Sequence, residues 1–218
     1  MMPIDSNVIA AYAEDHTDPV SPLLEELTRE TRRRTGRPHW SIGRAEGKLL
    51  QMLVAVSRAR RVVEVGTFTG FSALLMAEAL PEDGRLITCE AEESFARIAQ
   101  SFFDRSPHGG KIRLAFGLAL ETLSRLPDGA TDFVFIDADK PRYVQYYEEA
   151  LRILNPGGLI LVDNVFWRGK IFKTDRMNDN ARAIAAFNEH VKTDQGVEKV
   201  MLSVRDGCYL IRKKQDAV

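Results

Sequence analysis

The sequence is poor in most features that mark secreted, membrane-spanning or nucleic-acid-binding chains. It has two cysteines, Cys89 and Cys208, in apolar strand-like segments without C-x-x-C spacing. That argues against a disulfide scaffold and reads as buried free thiols in a reducing compartment. No apolar run approaches the ~20 residues needed to cross a bilayer. The N-terminal stretch "MMPIDSNVIAAYAEDHTDPV" has neither a basic nor an apolar leader region, so a cytoplasmic chain is expected. Charge of one sign is also missing, because 30 Lys and Arg stand against 31 Asp and Glu, for a net charge of -1. Without a strong basic field to hold a polyanion nonspecifically, nucleic acid is not an expected partner, and with no bilayer-length apolar run neither is a membrane, so a small molecule is the default. The four histidines, His16, His39, His108 and His190, lack ligand spacing and read as surface or capping residues.

What the sequence does have is alternation. From residue 60 onward, β-branched runs ("RRVVEVG", "RLITCE", "KIRLAF", "DFVFIDA", "GLILVDN") alternate with helical stretches ("FSALLMAEAL", "EESFARIAQSFF", "ALETLSRL", "YVQYYEEALRIL"). Turn punctuation such as "PEDG" and "NPGG" separates them. Such alternation predicts an α/β fold with a parallel sheet covered on both faces. A helix near 176 to 192 precedes "VEKVMLSV" and "GCYLIRKK", which "RDG" joins as an antiparallel hairpin at one sheet edge. Before residue 60, "SPLLEELTRETRRRTG" reads as a helix with Ser21 as N-cap, Pro22 in the first turn and Gly36 as its stop. The run Arg32, Arg33, Arg34 at its end reads as a solvated face that suits a helix C-terminus, ahead of a phosphate site. A further helix, "RAEGKLLQMLVAVSRA", follows, and the 218 residues are expected to form a single domain, with N-terminal helices over 1–58 and an α/β core over 59–214.

Ligands of open parallel sheets bind beyond the carboxyl ends of the strands, where the winding reverses. At the first such end, "VEVGTFTGFS" brackets a tight turn with Gly66 and Gly70, but Thr67 and Phe68 stand where a dinucleotide fingerprint needs its second glycine. Glu64 lies within an apolar strand, which is costly unless the carboxylate meets a cation or donors, and an amino-acid ammonium would meet that need. Glu90 ends the second strand, where it either accepts the two hydroxyls of a ribose or pairs with a neighbouring arginine. "FGLALE" leaves little bulk at Gly117 and Ala119, suiting either a flat adenine or a simple turn into a helix. Asp137 ends the fourth strand, and "VDN" puts Asp163 and Asn164 at the end of the fifth. Two carboxylates and an amide oxygen make an all-oxygen set for a hard cation such as Mg²⁺ or Ca²⁺. Lys140, three residues after Asp137, is placed to point back over the same position or else to be a surface lysine.

Taken together, "VVEVGTFTGFSAL", "GLALETL", "FVFIDADKPRYVQYY" and "GGLILVDNVFWRG" closely resemble, in order and spacing, the cation-dependent class I S-adenosylmethionine O-methyltransferases of the caffeoyl-CoA and catechol O-methyltransferase family, over roughly residues 40 to 214. The resemblance implies a Rossmann-like fold with a seven-stranded, mostly parallel sheet, an antiparallel C-terminal hairpin and extra N-terminal helices. It implies that Glu64, Gly66 and Ser72 hold the methionine end of S-adenosylmethionine, that Glu90 binds the ribose and that Ala119 meets the adenine. Asp137, also counted in the cofactor site, would ligate Mg²⁺, Ca²⁺ or Mn²⁺ with Asp163 and Asn164, and Lys140 would be the general base. Trp167, with Arg44 and Arg168, would form the substrate pocket for a phenolic vicinal diol, a hydroxycinnamate or its CoA ester among them. Relatives are usually homodimers, so a homodimer is expected. Two alternatives remain open: a nonenzymatic S-adenosylmethionine-binding module, with no use for the metal trio, and an NAD-type oxidoreductase, disfavoured by the missing glycine.

Overall fold

The structure, a computed structural model, describes residues 6–173 and 177–215. Its seven strands are β1 (Arg61–Val65), β2 (Arg85–Glu90), β3 (Ile112–Phe116), β4 (Thr131–Ile136), β5 (Leu154–Asp163), β6 (Val197–Leu202) and β7 (Cys208–Lys213). They form one sheet in the order β3-β2-β1-β4-β5-β7-β6. The first five run parallel and β7 runs antiparallel to both of its neighbours, which matches the expected mostly parallel sheet with a C-terminal hairpin. The winding reverses between β1 and β4, so a crevice opens at their carboxyl ends.

Side chains alternate across the sheet and divide the core in two. On β4, Phe133 and Phe135 face a cluster with Val62, Leu86 and Leu161, while Val134 and Ile136 face the other with Val63, Val65, Ile160 and Val162. Both faces are buried, which is why these strands read as continuous apolar runs. The first face carries α4 (Phe71–Ala79) and α5 (Glu93–Phe103); the second carries α6 (Ala119–Leu123), α7 (Tyr143–Ile153) and α8 (Asp179–Thr193). Residue 176, where the last of these was expected to start, lies outside the described residues. Helix α4 is buried from Phe71 to Ala77 because α2 (Pro22–Thr35) and α3 (Arg44–Val56) cover its outer side. An apolar helix of this kind needs that second layer. No helix among the described residues is long and apolar enough to cross a membrane.

Three local expectations change. Ser21 holds the N-cap position of α2 but makes no side-chain cap bond, whereas Gly36 closes the helix as expected, left-handed at φ 64°. "NPGG" is not a turn between elements; it lies inside β5, where pairing slips from Thr131–Leu154 to Phe133–Leu159. A further helix, α1 (Ser6–Asp15), gave no recognised signal, since its Val8, Ile9 and Tyr12 are exposed and do not form a core-facing stripe.

Gly66 links the sheet to the crevice. It sits at φ 101°, and a Cβ there would lie 2.0 Å from the carbonyl oxygen of Asp137. Only glycine allows the turn after β1 to approach the end of β4 this closely. Gly66→Ala is therefore expected to cost about 2–4 kcal/mol in urea unfolding, from overpacking and backbone strain. An unchanged midpoint would show that the Asp137 carbonyl yields freely.

Candidate active site

A cavity of about 1000 Å³ lies across the carboxyl ends of β1, β2, β4 and β5. Its first half is built by the turn after β1. Glu90 lines it, and its carboxylate accepts the backbone N–H groups of Phe68 at 2.7 Å and Glu92 at 2.8 Å. Burial raises the pKa of Glu90, while those N–H donors act in the opposite direction. Ala119, first residue of α6, lines the same half beside Gly117, as does Ser72 on α4. Glu64 itself does not reach the cavity wall. Fully buried beneath the floor, its carboxylate accepts the hydroxyls of Ser72 and Thr88, each at 2.5 Å. Hydroxyl donors thus supply the partners that an apolar strand withholds, and Ser72 connects Glu64 to the cavity. Burial pushes the Glu64 pKa up to about 8.

The second half is organised around the Lys140 ammonium. Lys140 sits on the short turn Lys140–Arg142 before α7 and is buried. Its Nζ donates to Asp137 Oδ1 at 2.9 Å, Asn164 Oδ1 at 2.6 Å and the Tyr143 hydroxyl at 2.5 Å, which occupies all three of its protons. Tyr143 in turn donates to the backbone carbonyl of Asp163 at 3.2 Å. Burial first, then Asp137 and Asp163, hold the Tyr143 phenol well above its usual pKa, so it remains a donor. Asp163 is almost wholly buried and accepts the backbone and side-chain N–H groups of Asn164 at 2.6 and 2.9 Å. Burial, then Glu46 and Asp137, push Asp163 well above the usual carboxylate range. That is the state of a buried carboxylate short of positive charge, and an all-oxygen set of Asp137, Asp163 and Asn164 suits a hard divalent cation. The residues fit such an ion.

Trp167 and Arg168 line this half, both at positive φ (46° and 53°), and the Trp167 ring lies 5.6 Å from Lys140 Nζ. Arg44 does not line it. As first residue of α3, it reaches back to the Glu14 backbone carbonyl and, at 3.6 Å, to the Glu14 carboxylate, tying α3 to α1. Two other residues, both missed from the sequence, take part. Arg205 lines the cavity, and its guanidinium pairs at 2.6 Å with the fully buried Glu46. Glu46 had a signal, a carboxylate on the buried face of α3 with Gly47, Leu50 and Val54. Arg205 had none, because "RDG" reads only as a hairpin tip.

The O-methyltransferase family pattern matches residues 13–214. The chain belongs to the O-methyltransferase family. It is 36% identical over 172 residues to the catechol O-methyltransferase of Niastella koreensis, covering 78% of each chain. It is 34% identical over 214 residues to the probable caffeoyl-CoA O-methyltransferase 1 of Dictyostelium discoideum, covering 95% of this chain and 93% of that one. Among solved structures, the O-methyltransferase TomG of Streptomyces achromogenes, in complex with SAM, superimposes with a TM-score of 0.87 at 30% identity, over 95% of this chain and 96% of TomG. The Rossmann-like methyltransferase fold expected from the sequence is the one this O-methyltransferase has, and the oxidoreductase alternative falls.

Glu64 gives this site a pH signature. Its folded pKa of about 8 lies above the ordinary 4.5, so the folded state keeps a proton that the unfolded state has lost. Stability from this group is complete at low pH and declines between about 4.5 and 8. Glu64→Gln, neutral throughout, should gain stability relative to the parent across that window, by about 5 kcal/mol at most. Parallel stability curves from pH 5 to 8 would refute the shift.

Proposed function

We propose that this O-methyltransferase transfers the methyl group of S-adenosylmethionine to one hydroxyl of a catechol-like vicinal diol, and that Asp137, Asp163 and Asn164 hold a divalent cation, Mg²⁺, Ca²⁺ or Mn²⁺. The observation that carries this reading is the convergence of Asp137 and Asn164 on the Lys140 ammonium, with buried Asp163 hydrogen-bonded to Asn164, in a cavity that has Glu90 at its other end. The catechol and caffeoyl-CoA O-methyltransferases among its relatives, and the SAM-bound TomG, support it.

In this reading Glu90 accepts the ribose hydroxyls with the oxygen lone pairs that Phe68 and Glu92 leave free. Ser72, backed by Glu64, and the backbone at Gly66 hold the methionine end, and Ala119 offers a flat surface to the adenine. Transfer is an in-line displacement: the acceptor oxygen bonds to the methyl carbon as the carbon–sulfur bond breaks, and its electron pair leaves with sulfur as a neutral thioether. A bound divalent ion supplies orientation of two vicinal oxygens and a phenol pKa below the usual ~10. Lys140 Nζ is the group that takes the hydroxyl proton, acting as the neutral amine after one of the three protons it donates to Asp137, Asn164 and Tyr143 has passed to solvent. Trp167 and Arg168 form the acceptor wall. The two buried unpaired cysteines agree with a cytoplasmic location.

The test is methyl transfer to catechols, hydroxycinnamates and their CoA esters, read by mass spectrometry with Mg²⁺ and with a chelator. Product should require both metal and a vicinal diol. Asp137→Ala should lower transfer at least about 100-fold while S-adenosylmethionine still binds. Strong transfer by that variant, or in chelator, would remove the cation from the reading, and an Asp163→Ala variant with intact function would favour a nonenzymatic binding module. A homodimer belongs to the same proposal, supported by the exposed Val8, Ile9 and Tyr12 of α1 and Met52 and Val56 of α3. Sedimentation should give twice the chain mass, and charged substitutions at Tyr12 and Val56 should halve it.

A further inference from the structure

Among the described residues, five of the six non-glycine residues at positive φ line the cavity: Phe68, Asn164, Trp167, Arg168 and Arg205. Left-handed conformations of this kind persist only where the surroundings enforce them, and here the enforcement is visible. The segment after β5 is tied to the β6–β7 loop by Val165 N–H to Gly207 carbonyl at 3.0 Å and Phe166 N–H to Asp206 carbonyl at 2.9 Å. Arg168 N–H donates to Asp206 Oδ1 at 2.5 Å. Gly207, at φ 81°, lies so close that a Cβ would meet the Phe166 ring at 2.6 Å. The two loops form one wall with Arg205 on it.

Arg205 is held from behind. Its Nη1 pairs with the Glu46 carboxylate, and Nε and Nη2 make no hydrogen bond to the protein among the described residues. Glu46, Asp163 and Cys208 bring ligand atoms within 4.8 Å of one another, so one carboxylate separates the guanidinium from the proposed cation ligands. A fork whose far side is fixed by a buried carboxylate, and whose remaining donors belong to a cavity wall, is pre-oriented for a planar anion. The Asp206 carboxylate on this wall is engaged by the Arg168 backbone, and Arg168 adds a second guanidinium to the lining.

We propose that Arg205 is a specificity-determining residue of the acceptor site, recognising a carboxylate carried on the acceptor's aromatic ring, with Glu46 as the positioning residue that aims it. The proposal rests on the methyltransferase reading for the place of the acceptor, and it makes aromatic acids with a vicinal diol the preferred substrate class. Glu46 reaches the site from α3, so the N-terminal helices take part in substrate choice through this pair.

Direct binding tests it without turnover. The full chain, saturated with S-adenosylhomocysteine, is titrated calorimetrically with 3,4-dihydroxybenzoate and with its neutral methyl ester. The acid should bind about 10-fold or more tightly than the ester, the range of a charge-assisted hydrogen bond. Arg205→Gln should bring the ratio to near one. Because that change leaves Glu46 buried without its cation, Arg205→Lys and the double variant Arg205→Gln, Glu46→Gln are measured beside it. The lysine should keep part of the preference and the double variant none. Equal affinity of acid and ester in the parent, absence of binding by both included, overturns the proposal, as does a preference that survives Arg205→Gln. Should the acid be preferred and neither compound be methylated, the catalytic reading fails and this one stands.

Discussion

The cavity depends on how carboxylates are neutralised out of water. β4 and β5 end side by side on Asp137 and Asp163, and α3 brings Glu46 to the same place. Unpaired charges are not tolerated there, so each must find a cation or donors. Lys140 answers for Asp137, Arg205 for Glu46, and the N–H groups of Asn164 for Asp163. Breaking such a buried pair costs on the order of 3–5 kcal/mol, so the residues that line this end also hold it together. Asp163 is the exception, since among the described residues its direct partners are neutral; that imbalance is what fits a divalent ion.

The frame around these charges is built to exact small distances. The Gly66 turn presses on the Asp137 carbonyl, and Gly207 presses on Phe166. Each glycine removes one side chain so that two segments from different parts of the chain touch. The sheet gives these contacts a rigid base, because β1 and β4 are both buried on their two faces. Precision at the site therefore comes from the core through backbone contacts, with little left to mobile side chains.

Much of this was legible in the sequence because the relevant signals are local. Asp137, Lys140, Asp163 and Asn164 stand in two short segments at strand ends, and knowledge that β4 and β5 are neighbours suffices to join them. Glu90 and Ala119 were legible for the same reason. Arg44 was misplaced because its position at the start of α3 is shared with Glu46, and the helix turns Glu46 inward and Arg44 toward Glu14. Arg205 was illegible because a hairpin tip 159 positions from Glu46 has no local sign of a buried partner. α1 was missed because a helix with its apolar residues outward lacks the stripe that periodicity detects.

The two halves of the cavity differ in how they are made, and the difference bears on what each can recognise. The half at β1 and β2 uses backbone N–H groups, small residues and carboxylates set by the strands themselves, so it presents a fixed surface to an invariant ligand. The half at β4 and β5 takes its wall from two loops and a helix of the N-terminal layer, joined by left-handed residues and one ion pair. Replacing a side chain on such a wall leaves the sheet and Lys140 in place. A single fold can therefore keep one donor and one chemistry while the acceptor changes, and the residues proposed to decide the acceptor are the ones least visible from the strand pattern.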